Sequence, residues 1–348
     1  MEQNSLTHPA RLYNIEFLRI LFTFCIFVFH ARNAIGLPNK GYYGVEFFFV
    51  LSGFFLTYTI DRQKNLSAFI FKKVIRFLPL MLFGEIVCQV ITHQFFMKNY
   101  ISLIFFLPST GLSAPGDSLL LVNWYINVLM WVSVFYFYII KTQTKSTANL
   151  IIGLVTFLSC VGFNLSAYFF ADLEGHLFPK SMFRGVFCMG CGYFLESIYQ
   201  SDVFKKSTVK KYAVFSILEF WCIGYLLGII FIPFEFQADY VHVVILFLIL
   251  IFLFLLKRGW MSQFFDDDSW GRISKYCLSF FLTHLIVVDC LYYRLGFFEN
   301  LSKGVSFMIM LFLCIGLSVF AYHVIEKPSY HYLKRFLEDK PQKTLAKE

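Results

Sequence analysis

The chain has 348 residues, 58% of them hydrophobic and only 15% charged, with a formal net charge of +8. Soluble domains carry roughly 25% charged residues, so the composition excludes an ordinary water-soluble globular protein and points to an integral membrane protein. No basic stripe with interleaved aromatics stands on a polar face, so the positive charge is not a nucleic-acid footprint.

Ten apolar runs approach the ~20 residues needed to cross a bilayer. They lie near residues 15–34, 44–60, 75–95, 121–140, 149–170, 181–199, 212–233, 239–256, 276–297 and 305–325. The first holds EFLRILFTFCIFVFH, with Glu16, Arg19 and His30 inside it. Ionisable groups at such depth are costly and mark a functional site by default. At ~100° per residue Arg19 and His30 differ by only about 20° around a helix, and Glu16 lies within about 60° of Arg19. The three share one stripe, with Arg19 and His30 ~16 Å apart along the axis. The first run leads straight into another and carries charge, so it is not a cleavable signal peptide.

Between the second and third runs, Lys72, Lys73 and Arg76 form a basic cluster, which from charge alone reads as anchoring to the inner membrane surface. Glu85 in the third run and Asp289 in the ninth are intramembrane acids without an evident partner; each lines a cavity or pairs with a base. The short run 101–107 reads as interfacial or re-entrant, and residues 97–120, with Pro108, Gly111, Pro115 and Gly116, as an irregular cap. Trp124 opens the fourth run as an interface-belt residue or a lining one. Cys188 and Cys191, flanked by Gly190 and Gly192, read as small-residue helix packing; no metal site is expected. The inner segment from Met261 to Lys275, with Asp266, Asp267, Asp268 and Trp270, reads as a solvated turn with an aromatic interface anchor, and Glu326-Lys327-Pro328 as the end of the last helix at the inner surface.

Loop charge tests the count. With a cytoplasmic N-terminus, only Arg32, Lys40, Lys98, Lys180, Arg184, Arg294 and Lys303 of the 30 Lys and Arg fall outside, as expected when Lys and Arg accumulate in cytoplasmic loops. The expected fold is an all-α polytopic membrane protein of about ten transmembrane helices with both termini cytoplasmic. It forms a single transmembrane domain over 1–348, with a core near 11–335, a short charged tail at 329–348 and no fused soluble domain.

Five elements in order resemble the membrane-bound acyltransferase type 3 family of O-acyltransferases. They are Glu16-x-x-Arg19 with His30 after ten residues; GVEFFFVLSGFFLTY from Gly44 to Tyr58; FIFKKVIRFLPL with Lys73, Arg76 and Pro79; ISKYCLSFFLTH ending at His284; and VIEKPSYHYLKR from Val324 to Arg335. The sequence departs from the family where a Trp-Ser-Leu-x-x-Glu motif is frequent: Trp124 is followed by Tyr125, Ile126, Asn127, Val128 and Leu129, without the acid.

The resemblance implies an O-acyltransferase of the cytoplasmic (inner) membrane that moves an acyl group, most often acetyl, from cytoplasmic acyl-CoA to a hydroxyl of a cell-surface or exported carbohydrate or small molecule. Acyl-CoA would be the co-substrate, with no metal, and a separate periplasmic or extracellular transferase is a conceivable partner. Lys73, Arg76 and Arg19 would hold the donor phosphates. His30, whose ordinary pKa of ~6.5 suits proton transfer, would act as general base or transient acyl carrier. Glu16 would orient Arg19 or compensate its charge. His284 matches a family histidine and is a site residue or a packed one, and Ser52 serves helix approach first and substrate second. Two other classes stay open: a flippase for a lipid-linked glycan, and an inactive scaffold of a polysaccharide-assembly complex.

Overall fold

The computed structural model describes residues 11–338 apart from 64, 113–117, 170–178, 202–211, 233–239 and 299. Among these the chain is helical, without a strand. Seven helices are long and apolar enough to cross a membrane: Tyr13–His30, Leu66–Thr92, Asn123–Thr142, Lys145–Asn164, Tyr212–Phe231, Asp268–Arg294 and Lys303–Tyr332. The other three predicted runs are helical but fall short of that standard. The second breaks at Phe55 into Gly44–Phe54 and Leu56–Asp61. The break follows directly on Ser52-Gly53, a pair that weakens a helix. The sixth, Lys180–Gln200, is diluted by Lys180, Arg184 and Glu196, and the eighth, Tyr240–Leu256, has 17 residues.

Local signals set several boundaries. Asn65 accepts a hydrogen bond from the Ala68 N–H at 2.9 Å and caps Leu66–Thr92, which then carries Pro79 within it and ends at His93 in the left-handed conformation. The segment around Trp270 is more ordered than a solvated turn. It forms the short helices Trp260–Phe264 and Asp268–Ser274, and Trp270 packs edge-on to Phe17 of the first helix at 5.0 Å. Arg11 Nη2 donates to the Gly271 carbonyl at 2.8 Å, and Asn14 Nδ2 to the Phe254 carbonyl at 2.7 Å. These bonds tie the start of the first helix to the chain 240 residues later.

The last helix does not end at Pro328. A π-helical turn, Tyr322–Glu326, joins Lys303–Ala321 to Lys327–Glu338. A wide turn shifts the hydrogen-bond register at just the place where proline lacks its N–H, so the helix passes through.

The central core joins Phe22, Phe47, Phe49, Phe54, Leu80, Ile126 and Phe247. Its tightest crossing is backbone on backbone: a Cβ on Gly53 would lie 2.0 Å from the Met189 carbonyl oxygen, and one on Gly192 would lie 2.0 Å from that of Val50. The small-residue reading of the Cys188 segment therefore holds. Overpacking such a contact costs about 1–3 kcal/mol, so Gly192→Ala is expected to lower the melting temperature of the solubilised protein. Gly224→Ala, with nothing within 4 Å of the new methyl, should leave it unchanged, and equal stability of the two variants would contradict this crossing.

Candidate active site

A cavity of about 460 Å³ opens among the first helix, Gly44–Phe54, Leu66–Thr92, Asn123–Thr142 and the ninth-run helix, a volume within the ~300–1,000 Å³ of small-molecule sites. The stripe on the first helix enters it through Glu16, Arg19 and Thr23. Arg19 Nη1 donates to Glu16 Oε2 at 2.7 Å, and Arg11 Nε lies 3.5 Å from Glu16 Oε1. Lys72, Lys73 and Arg76 line the facing wall and Ser52 the bend of the broken helix.

Four cations thus meet one carboxylate among the lining side chains. Lys73 Nζ sits 5.2 Å from the Phe69 ring centre and Arg76 Cζ 5.7 Å from that of Phe77. Such stacking positions the charge without neutralising it. Among the described residues neither Lys73 nor Arg76 has a carboxylate within ion-pair distance. The Arg76 side chain is solvent-exposed while lining the cavity. Two cations without a direct ion pair, with only Glu326 acting on Arg76 from beyond contact, form a recess suited to an anion.

His30 closes the first helix and is not part of the cavity wall, which reaches Thr23 on that helix. At 1.5 Å per residue this leaves ~10 Å along the axis. The His30 ring instead meets His284, with centres 5.1 Å apart. Phe281 joins the two regions: it lines the cavity, and its ring centre lies 6.1 Å from that of His284. Its carbonyl oxygen accepts a hydrogen bond from His284 Nδ1 at 2.8 Å. The sequence contained both histidines but no signal that would join them.

A family model described as an acyltransferase domain matches residues 12–323. The chain belongs to the acyltransferase type 3 family. It is therefore a multi-pass membrane protein of a family of acyltransferases, and four of the five motifs quoted above lie within the matched residues, the Val324 to Arg335 motif beginning just beyond them. No curated protein and no solved structure matches the chain.

The other expected site residues of this acyltransferase-family chain lie elsewhere. Glu85 is fully buried but neither lines the cavity nor meets a base. Its carboxylate accepts from Asn99 Nδ2 at 2.7 Å, Gln89 Nε2 at 3.1 Å, Ser118 Oγ at 2.9 Å and the Leu119 N–H at 3.1 Å. It pins the cap, whose short helix Met97–Ile104 overlaps the first part of the run 101–107. Asp289 pairs with Arg294 at 2.9 Å. Trp124 also stands off the cavity, with its ring 4.9 Å from Arg184 Cζ. Arg184 donates through Nε to Glu46 Oε1 at 2.9 Å, and Tyr240 covers it from another side at 5.7 Å. This buried pair was missed by sequence reasoning. Glu46 hid within an apolar motif, and Arg184 had been counted among loop charges.

Proposed function

We propose that this chain is an integral membrane O-acyltransferase that takes an acyl group, most simply acetyl, from acyl-CoA at the cytoplasmic face. The acceptor is a hydroxyl of a cell-surface or exported carbohydrate, or of a small exported molecule. The observation that carries the reading is the cavity with Arg19, Lys72, Lys73 and Arg76 on its wall and Glu16 as the one acid among the lining residues, with Glu326 behind it close enough to act on Arg19 and Arg76. Coenzyme A is a polyanionic thioester carrier confined to the cytoplasm, and the basic wall sits where loop charge places the cytoplasmic side. Arg76 suits bidentate phosphate contact and Lys73 acts as a point charge. Glu16 holds Arg19 along the stripe.

In this mechanism the phosphates stay at the basic wall while the pantetheine arm extends past Phe281 toward His30. The ~10 Å beyond Thr23 requires that wall to yield when donor binds. His30 takes the proton of the acceptor hydroxyl as its oxygen attacks the thioester carbonyl. The C–S bond then breaks and the CoA thiolate leaves with the proton. We further propose that the ten helical runs all cross the bilayer of the cytoplasmic membrane with both termini inside, as one membrane domain.

Purified protein in lipid nanodiscs tests the reading directly. Loss of one charge-assisted phosphate contact is worth about 1.5–3 kcal/mol, so Arg76→Ala and Lys73→Ala should each weaken acetyl-CoA binding roughly 10- to 100-fold. Acetyl-pantetheine, which lacks the phosphates, should show no such difference. Unchanged acetyl-CoA affinity in both variants would remove the proposal and return the flippase and scaffold readings, and unaltered surface-glycan acylation on deleting the gene would remove the cell-surface carbohydrate as acceptor.

A further inference from the structure

The His30–His284 contact carries more than proximity. His284 is 1% exposed, and its Nδ1 lies 2.8 Å from the Phe281 carbonyl oxygen and 3.2 Å from that of Phe280. A carbonyl oxygen only accepts, so Nδ1 carries the hydrogen, and in the neutral ring Nε2 is left with a lone pair. That Nε2 is buried and has no hydrogen-bond partner. Buried polar atoms in native proteins are nearly always satisfied, and an orphan calls for a reason.

The partner within reach is His30. Its ring makes no other hydrogen bond among the described residues, and it packs edge-on to Phe29 at 5.1 Å. Two imidazoles joined by an N–H···N bond of ~2.9 Å have ring centres about 5.2 Å apart; the observed separation is 5.1 Å. The rings are inclined at 53°, and the bond requires the His30 ring to turn so that one of its nitrogens faces His284 Nε2. His284 itself is held, lying parallel to the Phe280 ring at 6.1 Å.

We propose that His284 is the positioning residue for His30: its Nε2 accepts the His30 N–H, which fixes the His30 tautomer and leaves the second His30 nitrogen as the lone pair that meets the acceptor hydroxyl. The inference rests on the reading of His30 as the base. When His30 takes the hydroxyl proton it becomes an imidazolium that donates from both nitrogens, one of them into His284. The CoA thiolate then removes the added proton, and His284 ends each cycle as it began. The carboxylate that orients a catalytic histidine in the serine-protease triad is replaced in this proposal by a neutral ring.

Nitrogen-15 NMR of histidine-labelled protein in nanodiscs reads the arrangement without relying on activity. The wild type should show His284 as the Nδ1–H tautomer and a coupling across an N–H···N bond to His30. The His30 nitrogen shifts should change in His284→Phe and return in His284→Gln, whose amide oxygen can stand where Nε2 stood. In parallel, acyl transfer should lose at least tenfold in kcat in His284→Phe with the KM for acetyl-CoA unchanged, and recover in His284→Gln. A His284 Nε2–H tautomer, or His30 shifts identical in the wild type and His284→Phe, overturns the proposal. Failure of the underlying reading looks different: His30→Ala then retains transfer whatever the spectra show, and the positioning role falls with it.

Discussion

Replacing His30 by Ala is expected to lower acyl transfer about 10²- to 10⁴-fold, the usual worth of a general base, while membrane abundance and acetyl-CoA affinity stay at wild-type values. Both controls follow from placement. The His30 ring is half-buried at the last residue of its helix and makes no hydrogen bond that holds the fold. The cations expected to grip the donor stand at or below Arg19, on a cavity that stops at Thr23. The loss should therefore fall on kcat and not on KM. Release of CoA thiol in the presence of acceptor, measured on purified protein, checks it. Transfer within threefold of wild type would take His30 out of the chemistry, and a parallel fall in donor affinity would mean that the two ends of the stripe are not separate.

The second large effect falls on stability. Glu46 is fully buried and holds Arg184, whose guanidinium is sandwiched by Trp124 and Tyr240. Glu46→Ala strands that cation in an apolar surround, and breaking one half of a buried pair costs about 3–5 kcal/mol. Removing both charges together is far milder, because well-packed apolar replacements of a buried pair are often neutral. Glu46→Leu combined with Arg184→Met is accordingly expected to regain most of the thermal stability lost in Glu46→Ala, as read by temperature-dependent retention of the monodisperse peak. A double variant no more stable than the single one would show that the pair itself does not carry the cost.

How much of this was legible in the sequence depends on the range of the interaction. Glu16 and Arg19 are three residues apart, so helical geometry alone put them side by side, and the structure pairs them at 2.7 Å. Lys73 and Arg76 likewise share a turn, and both face the cavity. Contacts between segments left no local trace. Glu46 and Arg184 are 138 residues apart, and nothing in either neighbourhood names the other. Glu85 was read as lining a cavity or seeking a cation, yet neutral donors from the cap satisfy it, a solution invisible to charge counting. Composition identified the helices well, but could not foresee the break at Phe55 or the continuation past Pro328. Both depend on a hydrogen-bond register that hydropathy does not record.

The continuation past Pro328 bears on how the protein should be handled. Tyr330, two residues beyond that proline, lies on the cavity wall beside the cationic cluster. A truncation placed at the Glu326-Lys327-Pro328 boundary, the natural choice for trimming a charged tail before crystallisation, would cut away part of the cavity wall. An affinity tag fused there would crowd the same mouth, so shortened or tagged versions are best cut or joined after Glu338, where the described helix ends.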